Sequence, residues 1–176
     1  MKILAGFFLA IAMLAITGLG VIFSGAYKIA ATVPHTSIGS WILDTTKRRA
    51  IKVQGRGIQA PERFSDEQVR QGFKQFNEMC VTCHGAPGME PSEVGKGLLP
   101  QPPNLVEVVR RWDRPHLFWI IKNGIKMTGM PGFGPTHSDS EIWDIVAFVE
   151  TLPNMTAGQY GGMTSDHHAE PHRHSR

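Results

Sequence analysis

Apolar positions run unbroken only once along this chain, from residue 3 to residue 27, where no charged side chain interrupts them. About 20 apolar residues suffice to cross a bilayer, so the run predicts a transmembrane helix with some tilt. A cleaved secretory signal is the competing reading, with Lys2 as a minimal basic region and Ser24-Gly25-Ala26 as a small-residue cleavage site. The run exceeds the usual signal core and contains no proline, which favours a retained anchor over residues 1–28. Pro34 and His35 break the pattern. Ser37 or Ser40 then caps a helix from about 38 to 54, apolar around Trp41-Ile42-Leu43 and basic at Lys47, Arg48 and Arg49. Such a helix either rests on anionic headgroups with Trp41 at the interface or packs against the main domain. Residues 29–62 are thus a juxtamembrane helix and linker, with Gly55, Gly57 and Pro61 marking a flexible boundary.

Helical periodicity resumes at Ser65, which makes a capping box with Gln68, while Asp66 and Glu67 complement the helix N-terminus. Val69, Phe73 and Phe76 fall on one face. Gly72 lies on the side of Phe76, four residues earlier, where a missing side chain admits another helix. The helix ends at Cys80. A glycine- and proline-rich loop from Gly85 to Pro103 resists regular structure. Short helices follow at Leu105–Arg110 and at His116–Lys122, the second started by Asp113 and Pro115 and stopped at Asn123-Gly124. Residues 124–134 are loop. A second capping box, Ser138 with Glu141, opens a final helix over 139–151 whose stripe is Ile142, Ile145, Val146, Phe148 and Val149, and Pro153 ends it. No strand-like alternation stands out, so the fold class is all-α. Residues 154–176 are polar and histidine-rich and read as disordered.

The chemistry concentrates in Cys80-Val81-Thr82-Cys83-His84. Cys-x-x-Cys-His is the attachment signature of c-type haem: two thiols spaced for the two vinyl groups, then a histidine under the iron. A zinc site needs about four ligands, yet Cys80 and Cys83 are the only cysteines. A thioredoxin-like pair needs no following histidine. One covalently bound haem c is expected, with His84 as one axial ligand. Met130 is the favoured sixth ligand, because Gly-Met-Pro-Gly-Phe is a rigid turn that can hold a thioether against the iron. Met127 is its rival, followed by His116 and His137. A thioether raises the reduction potential relative to two imidazoles and leaves no open position for a substrate.

Residues from about 63 to 153 resemble a bacterial class I cytochrome c domain, the monohaem type, here in a membrane-anchored form. Gly72, Phe76 and Cys80 are spaced like the glycine, aromatic residue and first cysteine of that family's N-terminal helix. Ile145 and Phe148 match the pair on its C-terminal helix, which crosses the first at the glycine. Pro103-Asn104-Leu105 resembles the Pro-Asn-Leu element after the haem motif, and Met130-Pro131 the sixth-ligand loop. The resemblance implies that the Pro103 carbonyl accepts a hydrogen bond from His84 Nδ1 and that Leu105 packs on the haem. It also implies haem attachment outside the cytoplasmic membrane. The chain is therefore expected to be single-pass in the inner membrane, with its haem domain in the periplasm. Basic residues after the span oppose this orientation, but most lie near or beyond the range in which positive charge governs topology.

The expected function is a one-electron carrier in a respiratory or dehydrogenase-linked chain. Its donor would be a dehydrogenase or quinol-oxidising complex, and its acceptor a terminal oxidase or reductase. A fixed subunit of a larger redox enzyme is the alternative; a haem peroxidase or gas sensor would need an open iron position. Trp112, Trp119, Arg110 and Arg111 either meet the haem propionates or serve as core and solvated face. Histidines 167, 168, 172 and 174 either bind copper, nickel or zinc or belong to a soluble tail. The formal net charge of +3 is too small to argue for nucleic acid.

Overall fold

The computed structural model describes residues 2–169. The chain divides into two units after Pro34. The first is one helix, α1 (Lys2–Ser24, 23 residues), with no buried residue. At 1.5 Å per residue it measures about 34 Å, enough to cross a hydrocarbon core of about 30 Å. Its one hydroxyl near mid-helix is satisfied internally, Thr17 Oγ1 donating to the Met13 carbonyl at 2.9 Å, as an apolar surrounding requires.

The second unit is helical, with no strand among its described residues. Its elements are α2 (Ser37–Gln54), α3 (Asp66–Gln75), a π-helical turn (Phe76–Cys80), α4 (Val81–His84), α5 (Glu93–Lys96), α6 (Leu105–Val109), α7 (Arg114–Asn123), α8 (Asp139–Val149), a 3-10 turn (Leu152–Asn154) and α9 (Ala157–Ala169). Both anticipated capping boxes form at α3 and α8. The cap of α2 is neither Ser37 nor Ser40 but Thr36, whose side chain accepts from Gly39 N–H.

The core is built where α3 crosses α8. A Cβ on Gly72 would stand 1.8 Å from the Asp144 carbonyl oxygen, so only glycine permits this approach. Phe76 and Phe148 pack with ring centroids 5.0 Å apart, and Phe73 meets Phe148 at 5.4 Å. Phe118 of α7 stacks on Trp143 of α8 at 4.2 Å. Among the described residues every buried apolar side chain lies at or beyond Ile51, so the core of this unit is complete without α1.

Two expectations are corrected here. The 154–176 segment is not disordered through its described part: α9 forms, and Tyr160 is 1 % exposed, packed on Phe73 and hydrogen-bonded to Asn77 at 2.8 Å. Composition concealed a third capping box, in which Gln159 N–H bonds Thr156 Oγ1 and Thr156 N–H bonds Gln159 Oε1. Residues 170–176, with His172 and His174, lie outside the described residues. The second correction concerns 55–62, expected as a flexible boundary. Gly55 packs on the His116 ring, and Arg114 binds the Pro61 and Glu62 carbonyls at 2.6 and 2.7 Å and the Glu150 carboxylate at 2.9 Å. That segment is fastened to α7, whose Arg114 is itself anchored by Glu150 just after α8.

Candidate functional site

The Cys80–His84 motif sits where α3 loses its regular winding. The π-helical turn Phe76–Cys80 adds a residue to one helical turn, a distortion frequent at functional sites. Cys80 ends that turn and is the N-cap residue of α4, which holds Cys83 and His84. Cys80 and Cys83 are half-buried free thiols. Burial, aided by the neighbouring Cys83, pushes the Cys80 thiol up to about 12. A thiol so reluctant to ionise is a poor nucleophile, which counts against a thioredoxin-like pair.

Gly85 ends α4 with φ +67°; a Cβ there would stand 2.5 Å from the Met89 carbonyl oxygen. The next loop doubles back on the motif. Ser92 N–H donates to the Thr82 carbonyl at 3.0 Å. Gly95 of α5 lies so close that a Cβ would meet the Cys83 carbonyl oxygen at 2.7 Å. This helical turn and the small residue within it were not foreseen; Ser92, whose hydroxyl accepts from Gly95 N–H, was the available signal.

His84 Nδ1 lies 2.9 Å from the Pro103 carbonyl oxygen. That carbonyl accepts, so Nδ1 carries the proton and Nε2 keeps its lone pair. Asn104 holds the acceptor in place by capping α6, its side chain taking a hydrogen bond from Val106 N–H at 2.9 Å. Burial lowers the His84 pKa and the Pro103 bond opposes it; the first cause dominates and keeps the imidazole neutral, the form that ligates a metal. His84 and Leu105 line a cavity of about 540 Å³ together with Pro102, Val106 and Leu152.

Met130 stands apart from that cavity, half-buried against the hydrophobic core. Its backbone is held at both ends: Met130 N–H donates to Thr128 Oγ1 at 3.2 Å, and its carbonyl accepts from Ile125 N–H at 3.2 Å. Gly124, at φ +66°, and Gly132 press the loop onto the end of α7, where a Cβ on either would meet backbone at 2.5–2.7 Å. Met127 is 77 % exposed with φ 61°. Among the histidine rivals, the His116 ring contacts Asp113 Oδ1 and the Lys52 carbonyl, and His137 lies against Phe133 and Thr136. Trp112, Trp119, Arg110 and Arg111 do not line the His84 cavity; Arg111 pairs instead with Glu107 at 2.9 Å. Among the described residues no group of three or more histidine, cysteine or acidic side chains could hold a separate metal ion.

These residues suit a covalently attached haem: two half-buried thiols with two residues between them, and next to them a neutral imidazole with one nitrogen tied down. Helices locked at a glycine, with that motif at the end of the first, are the frame of a class I cytochrome c. The comparison of the sequence with known families agrees: residues 67–149 match the family described as "Cytochrome C oxidase, cbb3-type, subunit III". That segment, just under half of the chain, is a class I cytochrome c domain, preceded by an apolar helix that fits membrane anchoring. No curated protein matches the chain. Cytochrome c domains bind haem c and transfer electrons; such a domain is not by itself a catalytic enzyme.

Proposed function

We propose that this protein is a membrane-anchored periplasmic electron carrier holding one haem c. Cys80 and Cys83 form the thioethers, and His84 and Met130 are the axial ligands. Haem c supplies reversible one-electron chemistry when bound. The rest is the work of the chain. The Pro103 carbonyl fixes the His84 tautomer and ring orientation. Leu105 offers an apolar surface, and the packed core keeps water out. Met130 in the sixth position closes the metal to substrates, which restricts the chemistry to outer-sphere transfer.

The observation that carries this reading is the contrast between the two methionines of one loop. Met130 is half-buried and hydrogen-bonded at both backbone ends, whereas Met127 is in solvent. Redox titration of the purified full chain tests it. A single one-electron wave, fully reversible and unaffected by carbon monoxide, is expected. Several waves, or a wave displaced by carbon monoxide, would defeat the proposal.

A second reading has its own support. The matched family is described as an oxidase subunit, which favours a cytochrome held permanently in a larger membrane redox enzyme. Purification from mildly solubilised membranes separates the two: a carrier emerges alone, and a subunit emerges in fixed stoichiometry with its complex.

A further inference from the structure

Helix α2 has two unlike faces. Ile51, 3 % exposed, and Gly55, packed on His116, secure its C-terminal end to the haem domain. Away from that side, Ile38, Trp41, Ile42, Arg49, Lys52 and Val53 recur at helical spacing, all of them exposed. Ile38 is 73 % and Trp41 68 % exposed. No acidic residue falls on this stripe: the only carboxylate of α2, Asp44, is bound to Lys47 at 2.8 Å and Arg48 at 2.6 Å. The stripe is therefore apolar toward the N-terminal end of the helix and cationic toward the other.

We infer that this stripe lies on the anionic headgroups of the bilayer, with Trp41, Ile38 and Ile42 in the interface and Arg49 and Lys52 on lipid phosphates. An apolar face carrying tryptophan, bordered by lysine and arginine, is the composition that binds a lipid surface, and its charge is complementary to anionic lipid. The chain itself keeps the helix near a membrane. Ser24, the last residue of α1, is thirteen residues before Ser37, a span of at most about 45 Å. This inference rests on α1 being the anchor. Because α2 is also fastened to α7 through Ile51, Gly55 and His116, a seated α2 restricts how the haem domain is turned relative to the lipid surface.

Residues 35–176 contain the whole core, so the haem-loaded protein exported without residues 1–34 can be tested against vesicles. It should sediment with phosphatidylglycerol–phosphatidylcholine vesicles and not with phosphatidylcholine alone. The Arg49→Gln/Lys52→Gln variant should bind roughly thirtyfold more weakly. Trp41→Ala with Ile42→Ala should remove the binding that survives high salt, with the haem spectrum unchanged in every variant. Equal binding by these variants and the parent overturns the inference, as does absence of phosphatidylglycerol-dependent binding. Concentration-dependent dimers lost on substituting the same stripe would also overturn it, assigning the face to a second copy. Alkaline carbonate extraction of the full chain tests the anchor separately. A full chain that resists extraction while residues 35–176 ignore vesicles defeats only the role of α2; a full chain that washes off defeats the anchor.

Discussion

Gly72 makes a packing demand that no side chain can meet. A methyl group there would overlap the Asp144 carbonyl, so Gly72→Ala must push α3 and α8 apart and is expected to cost about 3 kcal/mol. Denaturant unfolding followed by haem absorbance measures this directly. For the proposed iron ligation, the residue to test is Met130. Met130→Ala should abolish the weak red-end absorption band that reports sulfur–iron ligation and should admit carbon monoxide to the ferrous protein. Met127→Ala should leave both properties untouched, since that side chain is in solvent. The reverse result would transfer the ligand assignment to Met127.

Among elements, the crossing of α3 and α8 and the docking of α9 carry the fold. The crossing brings Glu67 and Gln68 of α3 to Asp144, which already has Glu141 one turn earlier on its own helix. Burial raises its pKa above the ordinary 3.8; Gln68 partly opposes this, and the two glutamates add to it. The folded state thus holds this proton more tightly than the unfolded chain does, so ionisation of Asp144 works against folding. That penalty is present above the raised folded pKa and disappears as pH falls toward 3.8. Asp144→Asn should therefore be more stable than the parent at neutral pH, with the difference vanishing across that window, as denaturant midpoints at a series of pH values will register. Tyr160 of α9 closes the aromatic cluster. Tyr160→Phe, losing the bond to Asn77, should cost about 1 kcal/mol, and Tyr160→Ala about 4 kcal/mol. A tail without structure would show neither loss.

The elements legible in the sequence were those written in local code. Ser65 with Gln68, Ser138 with Glu141, and Asp113 ahead of Pro115 each satisfy backbone groups within their own turn, so a few residues suffice to read them. Gly72 was legible because its spacing to Phe76 and Cys80 placed it on a packing face. The π-helical turn, α5 and α9 depend on partners far along the chain. Gly95 is small because Cys83 lies against it, and Tyr160 is buried because Phe73 and Phe148 receive it. Polar and glycine-rich composition concealed both helices, although Thr156 with Gln159 was a capping signal as local as the others.

For the whole molecule, the motif Cys80–His84 is the proposed attachment site, and the Pro103 carbonyl stands within 2.9 Å of His84 Nδ1, where the family resemblance put it. In the proposed reading, ligation by both His84 and Met130 would confine the protein to carrying electrons, and the apolar helix before Pro34 would keep that activity at a membrane. The ferric absorption spectrum of the full chain, purified after expression with intact haem-ligation machinery, tests this account most directly. It should show a covalently bound haem with the sulfur–iron band, and the ferrous protein should not bind carbon monoxide rapidly. Colourless protein, or a red protein without that band that takes up carbon monoxide at once, would contradict it.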